Sequence, residues 1–365
     1  MGRLPGVLDV LLFGATGHTG RLVAHALARR GARFAVAGRD RAGLEAIAGA
    51  TGAADVHLAA VGDVPALAAA GRTARVLLSC VGPFAELGDT AVAAALEAGA
   101  HYVDSTGEAV FVARLVSERD RAARAAGVTL APALAFDEVP ADVAATLATQ
   151  GMRQATVSLT YALPSQASAG TVLSALDILT APGWWLRDGR WVPVHTGAGE
   201  RWAPMPPPLG PCRSISASMA EARLAPLHLD VASVATYLTV GSARRAALKL
   251  GMPVLRRAMA LPAARRAAQS ALLRTVERPA SGRAAKARWT VLAEARADGL
   301  RRNVVITGLD VYGLSAELLA SGALAIARRD DPAVGVVAPT EAVGLTLLRD
   351  ELMARGATIE VFEPA

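Results

Sequence analysis

Three glycines follow an apolar run that is typical of a buried strand, and they recur at intervals of three residues. Because glycine has no Cβ, such a loop can turn sharply and let backbone N–H groups approach a pyrophosphate. An amphipathic pattern comes next and predicts a helix, whose positive dipole end would face the same phosphates. We therefore predict a dinucleotide-binding loop whose cofactor contacts are Gly14, Ala15, Thr16, Gly17, His18, Thr19 and Gly20.

The end of the second predicted strand distinguishes between the two nicotinamide cofactors. An acidic residue at this point would accept hydrogen bonds from the ribose 2′-OH of NAD(H). Here Gly38 is followed by Arg39, whose guanidinium suits the 2′-phosphate of NADP(H). Asp40 leaves two alternatives open, because its carboxylate can contact the ribose or cap the next helix. The sequence favours NADP(H) over NAD(H).

The loop after the fourth predicted strand is the second candidate for cofactor contact. In a doubly wound sheet this loop lies on the nicotinamide side of the cofactor. Gly82 and Pro83 fix the turn and bring the backbone close to a flat ligand. Two interpretations remain open: the loop contacts the cofactor, or it is a plain strand-to-helix turn with Phe84 in the core. The residues concerned are Cys80, Val81, Gly82, Pro83 and Phe84.

Acidic and hydroxyl side chains follow the fifth and sixth predicted strands, where ligands bind in open α/β sheets. Tyr102 and Asp104 belong to the fifth strand, and Asp137 and Asp142 come after the sixth. We predict that Tyr102, Asp104 or Asp137 supplies a proton or orients a substrate, with Asp142 as a further candidate. Helix capping is the alternative for part of this region, since Glu108 suits the first turn of the next helix.

Several other kinds of catalytic site are absent from the sequence. No tyrosine is followed four residues later by a lysine, which a short-chain dehydrogenase needs for proton relay. The six histidines lack metal-ligand spacing and the two cysteines form no CxxC pattern, so we predict neither a metal site nor a disulfide framework. No GxSxG or SxxK motif indicates a serine nucleophile. Hydride transfer to an activated double bond or an imine is the chemistry that remains.

Strand and helix patterns alternate up to residue 131, and a chain of 365 residues fits two domains. This alternation predicts an α/β class with an N-terminal Rossmann-type parallel sheet over residues 1–131. Residues 132–330 then predict an α+β substrate domain, with a helix over 170–180 and hairpins at Asp188-Gly189 and Asp298-Gly299. We expect residues 331–365 to pack back on the first domain.

The positive charge of the chain is local. Between Gly241 and Trp289 there are 12 Lys/Arg residues and one acid, Glu277, whereas the rest of the chain carries a net charge of −5. The pattern over residues 241–280, hereafter the basic segment, predicts short amphipathic helices with Leu248, Val254, Leu255 and Met259 on the apolar side. This segment fits three roles: a solvated helical hairpin, a peripheral contact with an anionic membrane or lipid, or a site for an acidic protein. Nucleic acid is not expected as a partner, because no aromatic residues alternate with the arginines.

Five motifs in order resemble those of the saccharopine dehydrogenase-like oxidoreductases, and within them the group that includes the trans-acting enoyl reductases. The corresponding stretches are Gly14 to Ala24, Ala37 to Arg39, Cys80 to Phe84, His101 to Glu108 and Pro132 to Asp142. His18 stands where the family pattern has Phe, Ser105 where it has Leu, and Leu134-Ala135 where it has Cys-Gly. The resemblance implies a two-domain fold and NADPH-dependent reduction of an enoyl or similar double bond in a hydrophobic acyl substrate, either free or carrier-bound.

Two alternative functions stay open. In the first, the chain is a catalytically silent NADP-binding protein that serves as a redox sensor or membrane-associated scaffold. In the second, it is an amino-acid oxidoreductase of the saccharopine reductase kind. The latter requires arginines that bind carboxylates, for which Arg153, Arg187, Arg190 and Arg201 are available. No signal peptide and no uncharged apolar run of about 18 residues is apparent, so we expect a cytoplasmic protein, with a peripheral position at the inner face of the membrane as a variant. The sequence does not indicate an oligomeric state.

Overall fold

The computed structural model describes residues 7–136, 138–164, 176, 179–241, 251–252, 254–259, 261–275 and 287–363. They form two compact units. The first comprises Met1–Thr106, Phe111–Val139 and Tyr312–Glu351, and the second Gly107–Val110, Pro140–Val311 and Leu352–Ala365. The predicted boundary at residue 131 thus differs from the observed division, because two later stretches, 132–139 and 312–330, belong to the first unit.

A seven-stranded parallel sheet forms the centre of the first unit and confirms the α/β class. The strand order is β15-β6-β5-β4-β1-β2-β3. Both faces of β1 and β4 are buried, which explains why these strands are continuous apolar runs rather than alternating ones. The strands are β1 (Leu8–Phe13), β2 (Phe34–Gly38), β3 (Val56–Leu58), β4 (Ala74–Ser79), β5 (His101–Asp104), β6 (Thr129–Ala131) and β15 (Gly335–Val336).

Six helices follow these strands in the N-terminal part of the chain. They are α1 (His18–Arg29), α2 (Arg41–Thr51), α3 (Val64–Gly71), α4 (Phe84–Ala98), α5 (Ala109–Arg114) and α6 (Asp120–Ala126). A π-helical turn, Leu115–Arg119, separates α5 from α6. Helix α4 begins at Phe84, whose buried ring packs 5.8 Å from the Phe111 ring.

A nine-stranded mixed sheet forms the centre of the second unit. Its order is β10-β11-β12-β7-β13-β14-β16, and β8 pairs with both β12 and β9. The two predicted hairpins are present, and their turn residues Asp188, Gly189, Asp298 and Gly299 have the positive φ angles of the tight turns that suit twisted strands. The strands are β7 (Ala155–Ala162), β8 (Gly183–Arg187), β9 (Arg190–Val194), β10 (Glu200–Ala203), β11 (Cys212–Ser216), β12 (Val231–Thr239), β13 (Trp289–Ala297), β14 (Leu300–Gly308) and β16 (Thr358–Phe362).

The middle of the chain contains three further helices, α7 (Glu138–Ala148), α8 (Glu221–His228) and α9 (Pro262–Thr275). Residues 254–259 are helical as well. Most of the predicted helix over 170–180 and much of the basic segment, including residues 242–250 and 276–280, lie outside the described residues. Over the described ranges, no helix combines the length and the apolar character needed to cross a membrane.

The C-terminal part contains α10 (Val311–Arg328), α11 (Pro339–Val343) and α12 (Leu345–Ala354). Most of it returns to the first unit, where β15 pairs in parallel with β6. The predicted return of the whole stretch 331–365 is not observed, because β16 pairs with β14 in the second sheet. In this pairing Ile306 lies opposite Ile359, and the two strands are antiparallel. Strand β16 therefore extends the edge of the second sheet.

An ion-pair network attaches the returning helices to α1 within the first unit. Glu317 on α10 is buried and contacts Arg29 at 2.6 Å and Arg30 at 2.8 Å. Arg30 also contacts Glu351 on α12 at 2.7 Å. A buried carboxylate that is satisfied by two guanidinium groups becomes costly when its charge is removed, because the arginines then lose their acceptor.

We expect Glu317→Gln to lower the free energy of unfolding by about 2 kcal/mol, the usual range for a hydrogen bond to a charged group. Urea denaturation followed by far-ultraviolet circular dichroism measures this loss. The matched control is Glu97→Gln, which removes a pair with Arg72 in which both side chains are about half exposed, and it should change stability by less than about 1 kcal/mol. Equal losses in the two variants would contradict the assignment.

Candidate cofactor-binding site

The glycine loop between β1 and α1 is shaped by contacts that exclude side chains. Gly14 has a φ of +84°, and a Cβ there would lie 2.6 Å from Val81 Cγ2. A Cβ on Gly20 would lie 2.2 Å from the Gly14 carbonyl oxygen. Gly17 is the N-cap of α1, so the first N–H groups of this helix have no acceptor within the helix and can bind an anion. The loop therefore has the close backbone approach that a pyrophosphate requires.

A cavity of about 270 Å³ opens at this loop within the first unit. It brings together eight of the predicted cofactor contacts: Gly14, Thr16, Gly17, Gly38, Arg39, Cys80, Val81 and Gly82. Six predicted contacts do not line it: Ala15, His18, Thr19, Gly20, Pro83 and Phe84. Ala15 and Phe84 belong to the core of the unit, in which both are buried. Four other residues line the cavity without belonging to a predicted cofactor contact: Phe13, Ala59, Val61 and Leu87.

Arg39 and Asp40 have separate roles at the end of β2. Asp40 is the N-cap of α2, and its Oδ1 accepts a hydrogen bond from the Gly43 N–H at 3.1 Å. This bond confirms the capping alternative for Asp40. Arg39 is exposed and lines the cavity. The end of β2 thus offers a cation to a 2′-phosphate.

We expect Arg39→Ala to weaken NADPH binding by about 10- to 100-fold and to leave NADH binding nearly unchanged, because only NADPH has the 2′-phosphate that a charge-assisted hydrogen bond recognises. Isothermal titration with both cofactors measures the change in preference. Arg41→Ala removes the same charge two residues away, where the side chain lies 3.5 Å from Glu45, and serves as the control. A similar loss in both variants would show that general positive charge, rather than a contact of Arg39, determines the affinity.

Tyr102 and Asp104 form a fully buried pair at the end of β5. The Tyr102 hydroxyl donates to Asp104 Oδ2 at 2.8 Å, and Oδ1 accepts from the N–H groups of Thr106 and Ala133, each at 2.9 Å. Burial, followed by the Asp104 charge, raises the pKa of Tyr102 well above its ordinary value, so this hydroxyl keeps its proton at neutral pH. Neither side chain lines the cavity, and the pair instead joins the chain segments that follow β5 and β6.

Cys80 lies at the cavity wall, between this pair and the glycine loop in the sheet. Burial and the charge of Asp104 raise the pKa of its thiol to about 12. The thiol is therefore neutral at physiological pH and has little nucleophilic character. It presents an uncharged surface to whatever the cavity binds.

The second unit contains its own group of buried ionisable side chains. Asp142 on α7 lies 2.7 Å, measured from its Oδ1, from Nε2 of His228 at the end of α8, and both side chains are at least 90% buried. Glu221, at the start of α8, is also buried. Burial raises the pKa of Glu221 to about 7, the Tyr161 hydroxyl acts against this shift, and the Asp142 charge adds to it. A histidine oriented by a carboxylate is an arrangement that can exchange protons near neutral pH.

The structure therefore pairs Asp142 with His228, a residue that no sequence motif connects with it. His228 is 86 residues away from Asp142, and no spacing rule connects them. Asp137, the remaining predicted catalytic residue, lies outside the described residues. In the part of the chain that is described, no group of three or more His, Cys, Asp or Glu side chains is arranged to hold a metal ion.

The four arginines that an amino-acid substrate would require are only partly brought together. Arg201 lies 5.1 Å from the ring of Tyr237. Burial raises the pKa of Tyr237, and the charges of Arg201 and Arg187 oppose that shift. Arg153 and Arg190 are exposed.

The parallel sheet, the glycine loop and the arginine after β2 define a nucleotide-binding domain of the NADP-dependent oxidoreductase class. Residues 10–131 match the family described as saccharopine dehydrogenase NADP binding domain. The first unit is therefore built on a saccharopine dehydrogenase NADP-binding domain. This match spans four of the five motifs that carry the resemblance, and it confirms NADP(H) as the cofactor.

The chain is similar to two named proteins over part of its length. A trans-acting enoyl reductase of Mycobacterium tuberculosis (strain ATCC 25618 / H37Rv) is 37% identical over 141 residues, which are 37% of this chain and 34% of the relative. A lipid droplet localized protein of Caenorhabditis elegans is 36% identical over 148 residues, with the same two shares of 37% and 34%. The chain spans less than half the length of the curated relatives that it matches.

Among solved structures, the chain is similar to the apo saccharopine dehydrogenase (L-Glu forming) from Saccharomyces cerevisiae. The TM-score is 0.60, and the alignment covers 98% of this chain and 99% of the yeast enzyme at 14% sequence identity. At that identity the likeness shows a shared fold and leaves the substrate open.

Proposed function

We propose that this protein is an NADPH-dependent reductase that acts on the activated double bond of a hydrophobic acyl substrate, either free or attached to a carrier. The observation that carries this proposal is the cavity at the glycine loop, which Gly14, Gly17, Arg39 and Val81 line together. NADPH bound there would supply the hydride. The protein then has to hold the substrate, exclude water and supply one proton.

The residues of the first unit perform the binding part of this task. The N–H groups at the start of α1 bind the pyrophosphate, and Arg39 pairs with the 2′-phosphate. Phe13, Val81 and Leu87 give the cavity apolar walls, which exclude water from the cofactor. The buried Tyr102–Asp104 pair fixes the chain beyond β5, so its role is to position the backbone.

The substrate class is supported by the names of two relatives. One is called a trans-acting enoyl reductase and the other a lipid droplet localized protein. An enoyl thioester has the electron-poor carbon that accepts a hydride, and the α-carbon next to the thioester then takes up the proton. Acyl-chain reduction therefore agrees with the cofactor and with the absence from the sequence of a Tyr-Lys relay or a serine nucleophile.

The test is consumption of NADPH by the purified protein with enoyl thioesters of increasing acyl length. We expect turnover that rises with chain length and a lower rate with NADH. Arg39→Ala should reduce turnover with NADPH at subsaturating cofactor, and Arg41→Ala should not. Tight NADPH binding without consumption of any substrate would favour the silent redox sensor or scaffold instead.

A second candidate function is amino-acid oxidoreduction, for which the Arg201 guanidinium, 5.1 Å from the Tyr237 ring, supplies a cation. The same assay distinguishes the two functions when the panel includes imines formed from an amino acid and a 2-oxo acid. Arg201→Ala should then abolish turnover of the dicarboxylic imine and leave acyl reduction intact. Turnover of the imine alone would overturn the acyl proposal.

A further inference from the structure

The basic segment presents apolar side chains to solvent, contrary to the packing expected of a solvated amphipathic hairpin. Val254 is 67% exposed and Leu261 is 62% exposed. Arg257 and Arg266 are exposed in the same stretch. Met252 alone among the described apolar residues of this stretch is fully buried. This stretch therefore exposes both large apolar side chains and arginines to solvent.

This surface has a defined attachment within the second unit. The Arg256 guanidinium donates a hydrogen bond to the carbonyl oxygen of Thr196, in the connection between β9 and β10. The strands on either side of that connection contain Trp191, 43% exposed, and Trp202, 61% exposed. The Arg213 guanidinium lies 5.5 Å from the Trp202 ring. These strands therefore also expose apolar rings together with cationic side chains.

The charge of the segment points to the kind of partner. Between Gly241 and Trp289 the net charge is +11, while the rest of the chain is net negative. A bilayer with anionic headgroups complements this charge, and its interfacial region accepts valine, leucine and indole side chains. An acidic protein would complement the charge as well. Isolated apolar side chains between arginines, however, suit the fluid interface of a lipid bilayer better than a protein surface of fixed shape.

We propose that the surface formed by Val254, Arg257, Leu261 and Arg266 binds peripherally to an anionic lipid bilayer. The apolar side chains enter the interface and the guanidinium groups contact the headgroup phosphates. The inference stands independently of the reductase activity, because every residue that carries it lies in the second unit, away from the glycine loop in sequence.

Co-sedimentation with vesicles of phosphatidylcholine and phosphatidylglycerol tests the proposal. The protein should bind mixed vesicles, should not bind pure phosphatidylcholine, and should dissociate as salt rises. Val254→Ser with Leu261→Ser keeps the charge and should lower the partition coefficient by about tenfold. Arg257→Glu with Arg266→Glu should lower it by about 100-fold or more.

Leu300→Ser is the matched control, because Leu300 is 51% exposed at the tip of the β13–β14 hairpin in the same unit. It should leave vesicle binding unchanged. Circular dichroism and NADPH titration establish that each variant folds and that its cofactor site is intact. Vesicle binding that is equal in all variants, or binding to an acidic protein with none to vesicles, would overturn the proposal.

Discussion

Gly20→Ala is expected to abolish measurable NADPH binding. The new Cβ would lie 2.2 Å from the Gly14 carbonyl oxygen and 2.9 Å from the Ala15 Cα. Both atoms belong to the backbone of the cofactor loop, so no side-chain rotation relieves the clash. Helix α1 has to move away from β1, and this displaces the N–H groups that bind the pyrophosphate. Overpacking of this kind also costs about 1–3 kcal/mol of stability.

Gly49→Ala is the matched control for that variant. Gly49 lies on the exposed side of α2, and a Cβ there meets nothing within 4 Å. Alanine at such a position should stabilise the protein by about 0.5–1 kcal/mol and leave cofactor binding unchanged. Isothermal titration with NADPH, together with thermal unfolding, separates loss of binding from loss of fold. A Gly20→Ala protein that binds NADPH normally would show that the close approach is not required.

Local sequence patterns were sufficient to predict most of the first unit. Its strands are buried apolar runs, its helices begin after capping residues such as Asp40 and Asp63, and both signals are short-range. The hairpin turns at Asp188 and Asp298 are likewise determined by the turn residues themselves. Where the chemistry depends on a backbone turn, as at Gly14, the sequence is therefore informative.

Features that depend on distant parts of the chain could not be predicted in this way. Strand β12 was not predicted, although it pairs with β7, β8 and β11. The burial of its residues does not alternate, so its apolar residues do not recur with the two-residue period of a strand. The sequence left Phe84 open between cofactor contact and a place in the core, because the packing of its ring against Phe111 depends on another helix. The pairing of His228 with Asp142 has the same origin, since it depends on how α7 and α8 pack in the second unit.

The ionisable group around α8 leads to a second large effect, on the pH dependence of stability. In the folded protein burial raises the pKa of Glu221 from 4.5 to about 7. Below pH 4.5 both folded and unfolded chains hold the proton, so Glu221 imposes no penalty on the folded state. Between about pH 4.5 and 7 only the unfolded chain releases it, and the second unit should lose about 3 kcal/mol of stability.

Glu221→Gln removes this titration and should be more stable than the wild type by about 2–3 kcal/mol near pH 8, with a difference of only a few tenths near pH 4.5. All five tryptophans lie between Trp184 and Trp289, so their fluorescence during urea denaturation reports on the second unit. Glu360→Gln, at an exposed position on β16, should show no such gain. A gain that is independent of pH would mean that glutamine improves packing. The absence of any gain at high pH would mean that Glu221 ionises without cost, so that α8 holds a stabilised anion next to Asp142 and His228.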